Sequence, residues 1–211
     1  MTKILIADDH PILRMGLMEL ISGALENVSF GEAKTTQETL EQVWKQDWGL
    51  VILDVSMPGR SGIEILADLK KARPKTPVVV LSMHPEEQFA RRAFKAGASA
   101  YLTKDSVPEE LIKAMRRVLG GGRYVSISLA EKLAADLRME TEERPTHELL
   151  SDREFQVLRM IGSGKTVTNI AEELALSVKT VSTYRTRIIE KTGLKNNAEL
   201  IRYAIQNHLV G

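Results

Sequence analysis

The segment KILIADDHP, residues 3–11, joins a run of apolar residues directly to two acidic ones. Four consecutive apolar residues, Ile4 to Ala7, are typical of a strand buried on both faces of a parallel sheet. Asp8 and Asp9 follow, with no Lys or Arg beside them. Two carboxylates this close repel each other, and burying them is costly unless a cation compensates. The sequence therefore predicts a strand end that needs a positive charge from elsewhere in the chain.

The composition limits the class of protein. The chain has 211 residues, a formal net charge of +1 and no cysteine. This length suits two small domains, and the lack of cysteine excludes a disulfide framework or a thiolate metal site. The N-terminal apolar run is too short for a secretory signal, and no stretch approaches the roughly 18 residues of a membrane span. We expect a globular, cytoplasmic protein that does not enter a membrane.

Residues 1–120 alternate short β-branched runs with segments of helical periodicity. The runs are KILIA, VSFGEA, LVILDV, PVVVLS and AYLT. Strands that alternate with helices form a parallel sheet through right-handed crossovers. The pattern predicts a five-stranded, doubly wound α/β domain over residues 1–120, and the glycines at 120–122 should end its last helix.

The remaining residues divide into a linker at 121–148 and a helical domain at 149–211. The linker contains the charged stretch ETEERPTHE, which has no apolar periodicity. In the helical part, Ser151 and Glu154 have the spacing of a capping box, Ser177 can cap a later helix, and Gly193 can end it. We predict four short helices in this domain.

Polar side chains follow four of the predicted strands, where an open parallel sheet binds its ligands. They are Asp8, Asp9, Asp54, Ser82 and Lys104. Oxygen ligands without histidine or cysteine suit a hard cation that keeps part of its water shell, such as Mg²⁺. The sequence therefore predicts a Mg²⁺ site at this edge, where the metal and Lys104 together offset the acidic pair.

This set of residues resembles the receiver domain of bacterial two-component response regulators. The resemblance is carried by DD at 8–9, LDVSMPGRSG, LS and YLTKD. It implies that Asp54 accepts a phosphoryl group from a sensor histidine kinase. It also implies that Mg²⁺ binds Asp9, Asp54 and the backbone carbonyl of Ser56, with Asp8 acting mainly through water.

The same resemblance assigns roles to three further residues. Ser82 and Lys104 would contact the transferred phosphoryl oxygens. Tyr101 matches the switch aromatic, which packs inward when the hydroxyl residue moves, although a half-buried aromatic on an edge strand is the structural alternative. Many receivers have a cis proline after the lysine, whereas this chain has Asp105, and a cis bond there would cost about 3 kcal/mol. His84 lies where the family tunes phosphoryl lifetime, with a surface role as the alternative.

Residues 167–191 have the pattern of a helix-turn-helix. A helix near 167–174 and a turn at Leu176 precede a second helix near 178–191, whose residues Val181, Tyr184 and Ile188 share one face. The region 149–211 resembles the LuxR-type domain through LSDRE, IAEEL and SVKTVSTYRTRI. With the receiver, this resembles the NarL/FixJ family.

The family resemblance implies DNA binding by the second helix and pairing into a homodimer, often through the final helix near 198–207. Base contacts would come from Ser182, Thr183 and Thr186. The candidates for phosphate contacts are Lys179, Thr180, Arg185 and Arg187.

We therefore predict a two-component response regulator that is phosphorylated on Asp54, binds promoter DNA as a dimer and is not an enzyme. One alternative is a DNA-binding regulator whose receiver is controlled by a partner without phosphate. A second is a Mg²⁺-dependent phosphohydrolase with Asp54 as nucleophile. Nothing in the sequence supplies a substrate pocket or a cap domain for that enzyme, and a helix-turn-helix is hard to explain beside it.

Overall fold

A computed structural model of the chain describes residues 1–57, 60, 62–83, 86–131 and 145–210. The chain divides into two compact units, Met1–Glu140 and Thr141–Gly211. No helix in these described ranges is long and apolar enough to cross a membrane. The domain boundaries at residues 120 and 149 stay predictions, since much of the segment between them lies outside the described ranges.

The first unit is built on a parallel sheet with the strand order β2-β1-β3-β4-β5. Its strands are β1 (Thr2–Ala7), β2 (Val28–Ala33), β3 (Leu50–Asp54), β4 (Val78–Ser82) and β5 (Ala100–Thr103). The helices between and after them are α1 (Pro11–Ala24), α2 (Thr36–Lys45), α3 (Gly62–Ala72), α4 (Glu86–Lys95) and α5 (Val107–Leu119). All neighbouring strands pair in parallel, which confirms the predicted α/β fold.

The sheet is buried because its central strands are apolar on both faces. Every residue of β3 and β4 is buried, and Ile4 to Ala7 of β1 have no exposed surface. In the register, Ala7 lies opposite Leu53, and Asp54 lies opposite Leu81. The polar residues that follow these strands therefore leave the sheet at one common edge.

The start of the predicted linker is attached to the sheet. The backbone N–H of Tyr124 donates to the carbonyl of Ser99 at 2.9 Å, and Tyr124 forms a parallel bridge with Ala100 of β5. The Tyr124 hydroxyl also donates to the Glu110 carboxylate on α5. Residues 127–131 then continue as helix. α5 ends before Gly120, as the glycine run predicts.

The second unit is helical in its described part. After a 3₁₀ turn (Thr146–Leu149) it contains α6 (Asp152–Gly162), α7 (Val167–Glu173), α8 (Val178–Thr192) and α9 (Asn197–Gln206). Both hydrogen bonds of the capping box between Ser151 and Glu154 are present. Ser177 caps α8, and Gly193 ends it in the left-handed conformation with a φ of 73°. The four predicted helices and their stop signals are confirmed.

The ring of Trp48 packs directly against the backbone of Gly31 in β2. A Cβ atom at residue 31 would lie 2.2 Å from Cη2 of the Trp48 ring. The ring is buried, and its Nε1 donates to the carbonyl of Gln42 at 3.0 Å. Because that hydrogen bond fixes the ring, a larger residue at position 31 has to displace it.

We expect Gly31→Ala to lower the free energy of unfolding of the first unit by about 1–3 kcal/mol, as overpacking a core does. Gly16→Ala in α1 is the control, because a Cβ there meets nothing within 4 Å and should stabilise the helix by up to about 1 kcal/mol. Urea denaturation followed by tryptophan fluorescence reports this unit, which holds both tryptophans, Trp44 and Trp48. Equal stability of the two variants would contradict the expected clash.

Candidate functional sites

The predicted acidic residues meet at the carboxyl edge of the sheet. Asp54, the last residue of β3, and Asp8, the first residue after β1, are buried, whereas Asp9 is 30% exposed. The ammonium group of Lys104 lies 2.7 Å from Oδ2 of Asp54 and 2.8 Å from Oδ2 of Asp8. Lys104 is therefore a cation that compensates the buried carboxylates, as the sequence predicts.

Backbone N–H groups fix the orientation of the two buried carboxylates. The N–H of Ser56 donates to Oδ1 of Asp54 at 2.7 Å, and the N–H of His10 donates to Oδ1 of Asp8 at 2.7 Å. Lys104 also donates to Oδ2 of Asp54, so that carboxylate is hydrogen-bonded at both oxygen atoms. Oδ2 of Asp8 forms an ion pair with Lys104 but accepts no well-aligned hydrogen bond from the described residues.

Burial and ion pairing act on the pKa values of this cluster in different ways. Burial raises the pKa of Asp54, and the hydrogen bond from Lys104 only partly offsets that rise. For Lys104, burial lowers the pKa, but the hydrogen bonds to Asp54 and Asp8 outweigh it and raise the pKa above its ordinary value. The Lys104 ammonium therefore stays charged at neutral pH, and a further cation at the edge would favour the ionised form of Asp54.

The cluster fits a divalent cation. Oxygen atoms of Asp8, Asp9 and Asp54 and a ring nitrogen of His10 all lie within 4.8 Å of one another. Oδ1 of Asp9 is buried and accepts no well-aligned hydrogen bond from the described residues, although Nδ1 of His10 approaches it to 2.9 Å. A buried carboxylate oxygen without a donor is a suitable ligand for a hard metal ion.

Ser82 and Tyr101 lie on β4 and β5, the two strands that follow β3 in the order of the sheet. Ser82 ends β4, is fully buried and pairs in register with Thr103 of β5. Tyr101, on the edge strand β5, is also fully buried rather than half-buried, and its switch role stays a prediction. The structure thus brings Ser82 to the edge that carries Asp54, and Tyr101 is buried on the neighbouring strand β5.

The chain path around Lys104 differs from receivers that have a cis proline. No cis peptide bond occurs in the described residues. The chain passes from β5 into a 3₁₀ turn, Lys104–Ser106, and the Lys104 side chain still reaches both carboxylates. His84 lies outside the described residues.

Arg14 is a site residue that the sequence analysis missed. Its side chain is buried, Nη1 donates to the backbone carbonyl of Asp8 at 2.8 Å, and Nε donates to Oε2 of Glu32 at 2.8 Å. Arg14 shares the buried face of α1 with Leu17 and Ile21, at a spacing of three and seven residues. A charged residue on the apolar face of an amphipathic helix is the sequence signal that could have revealed it.

The second helix of the helix-turn-helix, α8, has one buried and one exposed face. Val181 and Ile188 are fully buried and Tyr184 is half-buried, which confirms the predicted apolar stripe. The opposite side exposes five of the predicted DNA contacts, which are Lys179, Ser182, Thr183, Thr186 and Arg187. The hydroxyls of Thr183 and Thr186 donate to the carbonyls one turn earlier, at 3.0 and 3.1 Å.

The two other predicted DNA contacts, Thr180 and Arg185, are half-buried. Arg185 is half-buried, and its Nε donates to Oδ1 of Asn197 on α9 at 2.5 Å. It lies one turn after Val181, which is why it faces the neighbouring helix. The backbone N–H of Thr180 donates to the Ser177 hydroxyl at the start of α8.

The last turn of α8 is tied to the start of α6. The ammonium group of Lys191 lies 2.6 Å from Oε2 of Glu154, whose carboxylate is buried. Burial would raise the pKa of Glu154, but hydrogen bonds from Lys191 and from Ser151 outweigh it and lower that pKa. The ion pair and the capping box together fix the orientation of α8 within its unit.

Comparisons with known proteins assign each unit to a family. Residues 4–116 match the response regulator receiver domain, and residues 148–204 match the bacterial regulatory proteins of the luxR family. Response regulator GacA of Pseudomonas aeruginosa is 34% identical over 210 residues, covering 100% of this chain and 98% of GacA. Response regulator UvrY of Escherichia coli is 31% identical, covering 99% of this chain and 96% of UvrY.

Two solved structures of response regulators match this chain over nearly its whole length. The Salmonella typhimurium response regulator RcsB superposes with a TM-score of 0.68 at 27% identity, covering 97% of both chains. An RcsB–DNA complex gives a TM-score of 0.59 at 28% identity, covering 97% of this chain and 98% of the other.

With a receiver fold that carries the acidic edge, a LuxR-type helical unit, and relatives matched along nearly their whole length, the chain belongs to the NarL/FixJ family of response regulators, which join a receiver domain to a DNA-binding domain.

Proposed function

We propose that the receiver accepts a phosphoryl group on Asp54 from a sensor histidine kinase. The observation that carries this proposal is the position of Asp54, a buried carboxylate at the sheet edge between the Lys104 ammonium and the N–H of Ser56. A carboxylate held in this way, beside a charged donor, can act as a nucleophile towards phosphorus.

The proposed transfer forms one bond and breaks one. A carboxylate oxygen of Asp54 attacks the phosphorus atom of a phosphohistidine, and the P–N bond breaks with its electron pair remaining on the imidazole nitrogen. The product is an acyl phosphate on Asp54. Lys104 would exchange its bond to Oδ2 of Asp54 for the phosphoryl oxygens, and the Ser82 hydroxyl would donate to them. Tyr101 is the proposed switch residue.

We propose Mg²⁺ as the cation of this site. Asp9, Asp54 and the Ser56 carbonyl would ligate it directly, with Asp8 acting mainly through water. The donor set supports a hard ion, because it consists of carboxylate and carbonyl oxygens. When bound, Mg²⁺ neutralises charge on the phosphoryl oxygens. The charged Lys104 remains necessary, since three carboxylates exceed the charge of one divalent ion.

We propose that α8 enters the major groove of promoter DNA and that two chains bind as a dimer in the cytoplasm. The exposed hydroxyls of Ser182, Thr183 and Thr186 would contact bases. Lys179, Thr180 and Arg187 would contact phosphates, and the start of a helix, where Thr180 lies, favours an anion. Arg185 is a weaker candidate because its Nε donates to Asn197 on α9. In this proposal the chain is a regulator of transcription and not an enzyme that turns over a substrate.

The first test concerns the phosphoacceptor. Incubation with acetyl phosphate and Mg²⁺ should add about 80 Da to the intact chain, the mass of one phosphoryl group, and Asp54→Asn should abolish this gain. Asp47→Asn is the matched control, because its carboxylate is exposed and pairs only with Arg73 among the described residues. Undiminished labelling of the Asp54→Asn variant would refute the assignment. No labelling of the wild-type chain would favour control of the receiver by a partner without phosphate.

A second test separates the two adjacent acids. Asp9→Asn should raise the melting temperature of the metal-free receiver, because it removes repulsion and leaves the Lys104 ion pairs intact, and it should weaken Mg²⁺ binding. Asp8→Asn is the contrasting variant, since it removes a carboxylate that Lys104 holds at 2.8 Å, and we expect no comparable gain in stability. Calorimetry gives the melting temperatures and the Mg²⁺ affinities. If Asp9→Asn melts lower and binds Mg²⁺ normally, Asp9 is structural.

A third test concerns DNA contacts. Lys179→Gln should weaken binding to all duplexes by a similar factor and reduce the slope of log affinity against log salt by about 1, as the loss of one phosphate contact does. Lys113→Gln on α5 is the control, because it removes the same charge from an exposed site in the receiver. Fluorescence anisotropy with a duplex selected from a random pool measures both slopes. Equal slopes for the two variants would exclude Lys179 as a phosphate contact.

A further inference from the structure

The guanidinium of Arg14 is buried beside the acidic edge, yet it contacts none of the three carboxylates that form it. Its two hydrogen bonds go to the backbone carbonyl of Asp8 and to Glu32, each at 2.8 Å. Removing a guanidinium from water is costly, and Glu32 is 46% exposed, so their ion pair alone is weak compensation. The bond to the Asp8 carbonyl therefore calls for a specific explanation.

That carbonyl belongs to the peptide that joins Asp8 to Asp9. Because a peptide unit is planar, fixing its oxygen also fixes the direction in which the Asp9 Cα leaves the strand. The preceding peptide unit is held as well, since the N–H of Asp8 donates to the Ala33 carbonyl at 3.1 Å. Arg14 therefore holds, through its oxygen, the peptide unit that leads into Asp9.

Asp9 differs from its neighbour in how its side chain is held. The Asp8 carboxylate accepts the N–H of His10 at Oδ1, and the Lys104 ammonium forms an ion pair with its Oδ2, although without a well-aligned hydrogen bond. Oδ1 of Asp9 has no well-aligned donor among the described residues. The orientation of the Asp9 carboxylate is therefore set mainly through the backbone, and Arg14 is the side chain that holds that backbone.

We propose that Arg14 is a positioning residue for the divalent-cation site. It orients the Asp9 carboxylate through the Asp8 carbonyl, while Glu32 holds the guanidinium in place. This inference rests on the proposed Mg²⁺ site. It extends the site beyond its ligands to α1 and β2, the elements that carry Arg14 and Glu32. A merely structural role would instead link α1 to β2 and leave the metal affinity unchanged.

The experiment measures Mg²⁺ binding to the full chain by isothermal titration calorimetry after removal of metal. Arg14→Met keeps most of the aliphatic part of the side chain but removes the guanidinium. Its Mg²⁺ Kd should rise roughly tenfold, within the range typical of residues that orient metal ligands. Arg14→Lys keeps the charge but cannot hold both Glu32 and the Asp8 carbonyl, so its Mg²⁺ Kd should lie between those of the wild type and Arg14→Met. Lys3→Met is the control, because it removes an exposed charge at the opposite end of β1 and should leave Kd unchanged.

A second variant keeps the test valid if Arg14→Met does not fold. Glu32→Gln retains an acceptor for Arg14 but removes the charge, and its Mg²⁺ Kd should rise about threefold, with thermal melting used to confirm folding. An unchanged Kd in folded Glu32→Gln and folded Arg14→Lys would overturn the inference, even if their melting temperatures fall.

Phosphorylation of Asp54 by acetyl phosphate supplies an independent readout. If Arg14 acts only on metal affinity, Arg14→Met should be labelled slowly at low Mg²⁺ and at the wild-type rate once Mg²⁺ saturates the variant. A rate that stays low at saturation would show that Arg14 acts elsewhere and would overturn the inference. Wild-type chain that binds no Mg²⁺ would refute the proposed metal site itself, whereas equal binding by wild type and Arg14→Met would refute only the role of Arg14.

Discussion

The bridge from Lys104 to Asp8 and Asp54 is the interaction on which the receiver's carboxyl edge depends. Parallel strands bring their ends to one edge, and β1 and β3 here both deliver a buried carboxylate. Without a cation, the repulsion between them and the cost of their burial would oppose the close packing of the strands. Lys104 compensates both from the end of β5. The same bridge concentrates charge at the edge where we propose phosphoryl transfer, so the stability of this edge and its proposed chemistry depend on the same contacts.

The sequence predicts the fold well where local pattern and tertiary environment agree. Strands apolar on both faces can only be covered by helices, and the capping residues Ser151 and Ser177 act within their own helices. The site residues that follow strands were predictable for the same reason. Arg14 and Arg185 were not, because each is a charged residue whose burial is decided by a partner distant in sequence, Glu32 for one and α9 for the other. In the structure both lie on the inner face of their helices, although charged residues are mostly exposed in proteins.

In the second unit, the contacts that hold α8 in place do not involve its exposed face. Val181 and Ile188 anchor α8 through burial, the Ser177 cap begins it, and the ion pair between Lys191 and Glu154 fixes its end. These contacts lie on the inner face or at the termini. The outward hydroxyls and charges are therefore not needed for the packing of α8, and changes there are expected to alter what the helix contacts with little effect on its stability.

β5 connects the acidic edge of the receiver to the start of the linker. It carries Tyr101 in its middle, it ends directly before Lys104, and its first residue, Ala100, forms the bridge to Tyr124. The backbone N–H of Tyr124 also donates to the carbonyl of Ser99, the residue before β5, so the linker is attached directly to the strand that leads to Lys104. The first residues of the linker are thus coupled to the acidic edge by backbone hydrogen bonds, which a change of side chain along the linker does not remove.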